Sequence, residues 1–172
     1  MTESKAYDTG EVLGTVEGKV RALVASIGED VQYVFYNWAQ ANVALDTILD
    51  DIKQPTIIYV LPPSGKLDAS WREIKDRPEA QIGFLCSTEF DFDTVENDNI
   101  IEAMKRLCAR FIKRLNKGDY FEPIEGEIRY QVLYDHLDQN VTGILISPPL
   151  VEIDGISLCD DFGTREDIDD NE

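Results

Sequence analysis

The chain has little of what catalytic and exported proteins commonly carry. Its 172 residues include one histidine and three cysteines, and Cys86, Cys108 and Cys159 are too widely spaced for a zinc site or a disulfide framework. We expect buried or half-buried cysteines in a reducing compartment, and a structural His136 near the end of a strand. The absence of long apolar runs predicts no transmembrane helix and no secretory signal.

Basic residues are also scarce. The chain has 34 Asp and Glu against 16 Lys and Arg, a formal charge of −18, and so negative a field repels nucleic acid and anionic lipid on average. Hydrophobic residues still make up 43%, which is enough for a core, and the length fits a single domain. The composition therefore predicts a folded acidic protein and indicates no particular chemistry.

The hydrophobic pattern predicts one α+β domain at residues 11–159, between a flexible N-terminus at 1–10 and a disordered acidic tail at 160–172. The expected segments are helices at 11–27, 38–52 and 97–117, strands at 31–38, 56–61 and 80–87, a protruding loop at 66–78, a short strand at 120–124, and a C-terminal hairpin with strands at 127–137 and 141–153. This segregation of helices and strands predicts a mostly antiparallel sheet with the helices packed on one face.

Several signals predict where elements end. Asn97 or Asp98 is a suitable N-cap for the long helix, and Gly28 suits the end of the first helix. Pro148 and Pro149 place the last strand at a sheet edge, or split it with a bulge. Three further residues are expected to shape the hairpin, namely Tyr134, Asp135 and Asn140.

Charge is unevenly distributed along the chain. Residues 99–118 contain six bases and one acid and sum to +5, so the other residues carry −23, the difference between −18 and +5. We name the six bases of this helix the basic helix face: Lys105, Arg106, Arg110, Lys113, Arg114 and Lys117. This face is either a solvated surface or a contact that meets the acidic side of another copy. Such polarity suits head-to-tail assembly into rings.

One short motif indicates an enzymatic alternative. The sequence DFDTV, with Asp91 and Asp93, matches the nucleophile signature of phosphatases of the haloacid dehalogenase type. There the first Asp attacks phosphorus, the second handles a proton and Mg²⁺ bridges them. That chemistry needs the motif at the end of a buried parallel strand, whereas residues 87–90 separate it from the apolar run. The glycine and glutamate of a calcium loop are also missing, so we predict no catalytic residue, cofactor or metal site.

The C-terminal sequence resembles a known family. The run YQVLYD at 130–135 is followed by DQNVTGI at 138–144 and by IDGISLC at 153–159. This succession of strand, turn and returning strand looks like the ending of small tail-completion and tail-terminator proteins of bacteriophages, especially phages of gut Bacteroidetes. The preceding order of helices and strands is similar to that family's over residues 11–159.

The resemblance implies a curved sheet with helices on one side and a structural role without catalysis. Proteins of that family form rings where the capsid portal or adaptor meets the tail, or stop growth of the tail tube, in virions made in the bacterial cytoplasm. The expected partners are other copies of the chain and portal, adaptor or tail-tube proteins. Subunit contacts would come from the basic helix face and from Lys66 and Trp71 on an extended arm at 66–78. An acidic lumen would let DNA pass without binding.

A second class of function stays open. An inhibitor that mimics DNA and occupies a nucleic-acid-binding partner would also be an acidic protein of this size. The two hypotheses differ in the mass expected in solution, because the ring is an oligomer and the mimic is a monomer.

Overall fold

The computed structural model describes residues 15–36, 54–60, 64–70, 73–87, 94–136, 141–153 and 156–157. The elements in chain order are α1 Val16–Ala25, β1 Gln32–Tyr36, β2 Thr56–Val60, β3 Gly65–Ala69, β4 Glu73–Pro78, β5 Gln81–Ser87, α2 Thr94–Lys117, β6 Tyr130–His136, β7 Val141–Ile146 and β8 Ile156–Ser157. Several predicted features lie outside the described residues: the N-terminus at 1–10, the second helix at 38–52, Trp71, Asp91, Asp93, Asn140, Cys159 and the tail at 160–172.

A five-stranded sheet forms the centre of the fold, in the order β1-β2-β5-β7-β6. Strands β1 and β2 are parallel, and the other neighbouring pairs are antiparallel. Strands β6 and β7 form the predicted C-terminal hairpin, with an irregularity in β6 between Leu133 and His136. The predicted α+β class is therefore confirmed, including its mostly antiparallel sheet.

The main core lies between the two described helices and one face of this sheet. The apolar stripe predicted for α2 is buried there, at Ile101, Met104, Leu107, Phe111 and Leu115, together with Val16, Val20, Leu23 and Val24 of α1 and with Ile57, Tyr59, Ile82, Phe84, Ile144 and Ile146 of the sheet. The rings of Phe84 and Phe111 meet edge to face at 5.7 Å between centroids. Both described helices thus pack on the same face, and each buried side chain of this size contributes roughly 1.5–3 kcal/mol.

The opposite face of the sheet is also apolar. Its buried residues are Val34, Tyr36, Ile58, Leu85 and Val141. Neither described helix contributes to this second cluster. A sheet that is apolar on both faces explains why β2 and β5 are nearly continuous hydrophobic runs with no polar alternation.

The helix ends differ from the capping predictions. Helix α2 begins at Thr94, three residues before Asn97, and the buried Asn97 side chain instead accepts a hydrogen bond of 3.0 Å from the Thr142 hydroxyl on the sheet. Helix α1 has Ser26 as its C-cap, so Gly28 lies beyond it. The Asn97 side chain is thus engaged in a tertiary contact, and at the end of α1 the Ser26 hydroxyl donates a hydrogen bond of 2.6 Å to the Leu23 carbonyl.

The polar segment at 66–78 is a β-hairpin and not the loop that its sequence predicts. It consists of β3 and β4, and β8 adds a third strand. Every residue of β3 is exposed, and Asp68 and Arg77 form an ion pair of 2.6 Å across the hairpin. Charged cross-strand neighbours replace the apolar alternation by which a strand is recognised in a sequence.

The two prolines near the C-terminus end a strand without placing it at an edge. Strand β7 stops at Ile146, before Pro148 and Pro149, and it lies between β5 and β6 inside the sheet. The chain beyond the prolines pairs with the segment that follows α2, at Phe121 and Glu152. The edge strands of this sheet, among the described residues, are β1 and β6, so the prediction for β7 is wrong.

Candidate interaction surface

Helix α2 presents the basic helix face opposite its buried stripe. Five of the six bases are exposed, and the sixth, Lys105, is half-buried. The helix covers β5 and β7, whose side chains share its core, so the bases are held on one rigid element. The predicted separation of apolar and basic sides of this helix is confirmed.

Two of the six bases have an internal structural role. Arg110 donates a hydrogen bond of 3.1 Å to the Ile27 carbonyl, and Arg114 donates one of 3.0 Å to the Ser26 carbonyl. Carbonyl groups at a helix C-terminus lack partners within the helix and form the negative end of its dipole. These arginines therefore hold the end of α1 against α2.

Lys105 is held above the edge of the sheet. Its ammonium group pairs with Glu102 at 2.6 Å and lies 5.2 Å from the centre of the Tyr130 ring. The hydrogen bond from Lys105 lowers the pKa of Glu102, and the same bond raises the pKa of Lys105. Both groups therefore stay charged across the neutral range.

The other three bases are available for contacts. Arg106, Lys113 and Lys117 are exposed, and within the described part of the chain none of them has a hydrogen-bond or ion-pair partner. In a chain that is so acidic overall, exposed cations concentrated on one helix are an unusual feature of the surface.

Beside two of these cations, Lys113 and Lys117, lies a groove of about 690 Å³ between α2 and the β6–β7 hairpin. We name it the lysine-rimmed groove. Its apolar lining consists of Cys108, Ala109, Ile112, Ile128, Ile144 and Ile146, and its polar lining of Lys105, Lys113, Asn116, Lys117 and Tyr130. An apolar floor with ammonium groups at the rim suits an anionic, amphipathic occupant.

The groove exists because α2 does not cover the edge strand. On β6 the side chains of Tyr130, Val132 and Tyr134 alternate along the strand and remain 53%, 41% and 41% exposed. The Tyr134 hydroxyl donates a hydrogen bond of 3.0 Å to Asp98 on α2, so these side chains project on the helix side of the sheet. The groove and the edge strand thus form one continuous, partly apolar surface.

A smaller cavity of about 260 Å³ lies on the other flank of α2, lined by Ile27, Arg110, Lys113, Arg114 and Lys117. Lys113 and Lys117 line both cavities. Their side chains therefore lie between the two cavities, and their ammonium groups can contact an occupant of either cavity.

The structure brings together only some of the predicted contact residues. The six bases share one helix, but Lys66 lies on β3, in the separate three-stranded sheet. The groove residues Ile128 and Tyr130 were not predicted as contacts, although the alternation of Tyr130, Val132 and Tyr134 was visible in the sequence. That signal reveals a strand, but not that the strand lies at an edge.

Cys86 and Cys108 are free and half-buried, as predicted. Within the described residues no group of His, Cys, Asp and Glu side chains is arranged to hold a metal ion. None of the described helices is long and apolar enough to cross a membrane.

The thiol of Cys108, in the groove, is expected to react slowly with alkylating agents. Burial raises the pKa of this thiol from its ordinary value of 9.0 to about 11. At about pH 8 its thiolate fraction is therefore about 100-fold below that of an unperturbed cysteine. Mass spectrometry of the Cys108 peptide after timed treatment with iodoacetamide measures this rate, and the denatured chain supplies the unperturbed reference. Equal rates in the folded and denatured chains would contradict the prediction.

Comparison of the chain with protein-family models, curated proteins and solved structures finds no match in any of the three.

Proposed function

We propose that this protein is a structural virion component that assembles with copies of itself into a ring at the head–tail junction or tail end of a bacteriophage, as a connector or tail terminator. It acts by assembly and not by catalysis. The observation that carries the proposal is the placement on α2 of three exposed bases that have no hydrogen-bond or ion-pair partner among the described residues, Arg106, Lys113 and Lys117. Two of them, Lys113 and Lys117, also line an apolar groove.

The charge distribution supports a head-to-tail contact. A surface that is basic in one place and acidic elsewhere complements a different surface of the next copy and not itself. Contacts of this kind generate closed rings when the rotation between copies closes. The segment from 99 to 118 carries +5 and the remaining residues carry −23, so each copy would offer both halves of the contact.

The order of the elements supports the phage assignment. The resemblance to tail-completion proteins implies an N-terminal helix pair, a strand, a protruding loop, a strand and one long helix before the C-terminal hairpin. The described elements include α1, β2, the β3–β4 hairpin in place of the loop, β5, α2 and the β6–β7 hairpin in that order, and the second helix of the pair lies outside the described residues. The hairpin at 65–78 would be the arm that reaches a neighbouring subunit. Portal or adaptor and tail-tube proteins would be the further partners in the virion, and an acidic lumen would pass DNA without binding it.

The assembly is expected to depend on the bases of α2 that have no internal role. We expect Arg106→Glu combined with Lys113→Glu to raise the dissociation constant between copies about tenfold, since each exposed pair contributes up to about 1 kcal/mol. Light scattering coupled to size-exclusion chromatography, over a range of protein concentrations, measures the change. Arg110 and Arg114 are left intact because their reversal would also remove the contacts to α1.

Arg129→Glu is the control, because Arg129 is exposed and lies outside α2. It reverses one charge away from the basic helix face and is therefore compared with Lys113→Glu alone, which makes the same charge change on that face. An unaltered mass in the double variant would show that this face is only solvated. A strict monomer at high concentration and moderate salt would contradict the ring and favour the DNA-mimic alternative. For the phage setting, the gene is expected to lie beside portal, tail-tube and tape-measure genes.

A further inference from the structure

We infer that the lysine-rimmed groove is a docking site for the acidic segment 160–172 of the same copy of the chain. The inference concerns what occupies the groove before any partner arrives, so it does not depend on the proposed ring. It follows from the chemistry of the groove, the composition of the segment and the position from which the segment departs.

The segment and the groove are complementary in charge and in polarity. Residues 160–172 contain seven acids and one Arg, together with two apolar side chains, Phe162 and Ile168. The groove offers an apolar floor and the ammonium groups of Lys105, Lys113 and Lys117. Apolar side chains on the floor and carboxylates at the rim would satisfy both parts of the surface.

The lengths also agree. Lys105 and Lys117 are twelve residues apart on α2, so the rim is about 18 Å long at 1.5 Å per residue. Phe162 and Ile168 are six residues apart, which in an extended chain is about 20 Å. One apolar side chain near each end of the groove therefore matches the spacing in the segment.

The last described residues before the segment lie near the C-terminal end of α2, the end at which Asn116 and Lys117 line the groove. The Ile153 amide donates a hydrogen bond of 3.0 Å to the Tyr120 carbonyl, just beyond the C-terminal end of α2. Four residues later, Ser157 pairs with Glu73 on β4. Because a short tether gives an effective concentration in the millimolar range, the segment of the same copy is favoured over that of another copy.

Occupation of the groove by this segment would shield Lys113 and Lys117 from other acidic partners. A neighbouring copy that uses these bases must first displace the segment. The groove would thus restrain contacts made through the basic helix face until a stronger partner engages it.

Photo-crosslinking in the full-length chain tests the inference. The photoreactive amino acid p-benzoylphenylalanine replaces Phe162, and equal amounts of ¹⁴N- and ¹⁵N-labelled chain are mixed before irradiation. We expect crosslinks from position 162 to peptides of α2 or to the Ile128–Tyr130 region, with both halves carrying the same isotope. Crosslinks of mixed isotope, crosslinks to other regions, or no crosslink would each overturn the inference.

Two variants test the role of charge. Lys113→Glu with Lys117→Glu is expected to reduce the crosslink yield about tenfold, because two exposed ion pairs are lost, whereas Lys66→Glu, which reverses one charge on β3, leaves the yield unchanged. Asp169→Asn with Asp170→Asn, which alters only the segment, is expected to reduce it as well. A crosslink yield that is unchanged in both double variants would overturn docking by these lysines. A yield that falls as much in Lys66→Glu as in the lysine double variant would also overturn it. Since mass in solution is measured separately, loss of the ring and loss of the docking are distinguishable.

Discussion

The variant Gly143→Ala is expected to unfold the protein under conditions in which the parent chain is folded. Gly143 lies in β7, opposite Leu85 of β5 and Leu133 of β6. A Cβ atom added at this position would overlap the carbonyl oxygen of Phe84 and lie 3.0 Å from the Leu85 Cα. Both contacts are with backbone atoms of the neighbouring strand, so no side-chain rotation can relieve them.

The cost is expected to be large because β5 and β7 are interior strands that carry much of the core. Moving them apart would disturb their ladder and the packing of Phe84 and Ile144 under α2. We expect a loss of about 4 kcal/mol or more, in the range reserved for severe core changes, out of a total of roughly 5–15 kcal/mol for a domain. Urea unfolding followed by circular dichroism measures it, and the melting temperature should fall by about 10 °C or more.

Gly83→Ala is the matched control. Gly83 lies in β5 opposite Leu145 of the same β7 strand, and its added Cβ would meet only side-chain atoms, at 3.6 Å or more. That is ordinary van der Waals contact, and alanine also restricts the unfolded chain. We expect a change within about 1 kcal/mol of the parent. Equal stability of the two alanine variants would show that the sheet adapts at Gly143.

The parts of the fold that are visible in the sequence are those with a local period. The stripe from Ile101 to Leu115 predicts α2, and the β-branched runs predict β1, β2, β5 and the final hairpin. Each of these signals reflects burial of one face of a single element. Strand order has no such signal, so the position of β7 inside the sheet and of β6 at its edge follows only from the tertiary structure.

The candidate surface was predictable only in part for the same reason. The concentration of bases in α2 is a property of the sequence. The division of these bases into structural and available ones depends on where α1 ends, since Arg110 and Arg114 reach its carbonyls from more than eighty positions away in the chain. The groove depends on the separation between α2 and β6, which no pattern within either element encodes.

The ion pair between Lys19 and Glu152 is expected to be the most sensitive electrostatic contact in the described residues. Its atoms are 2.7 Å apart, and the side chains are only 12% and 4% exposed. The pair joins α1 to the segment that follows β7, and this segment pairs with Phe121 beyond α2. It therefore fastens the C-terminal part of the described chain to the first helix.

Replacement of one member of the pair should lower the free energy of unfolding more than replacement of both members. We expect Lys19→Met alone or Glu152→Leu alone to lower the free energy of unfolding by about 3–5 kcal/mol, because each leaves an uncompensated buried charge. The double variant removes both charges, so its loss should be smaller than either single loss, which corresponds to a coupling energy of at least about 3 kcal/mol. Urea unfolding of the four chains gives this coupling energy directly.

The exposed ion pair between Asp68 and Arg77 provides the comparison. At 2.6 Å it is as short as the buried one, but its side chains are 55% and 47% exposed. Water already solvates both charges there, so Asp68→Asn with Arg77→Gln should show a coupling of at most about 1 kcal/mol. A coupling at Lys19 and Glu152 no larger than this would mean that water reaches the buried pair, and that apolar packing alone holds the C-terminal segment on α1.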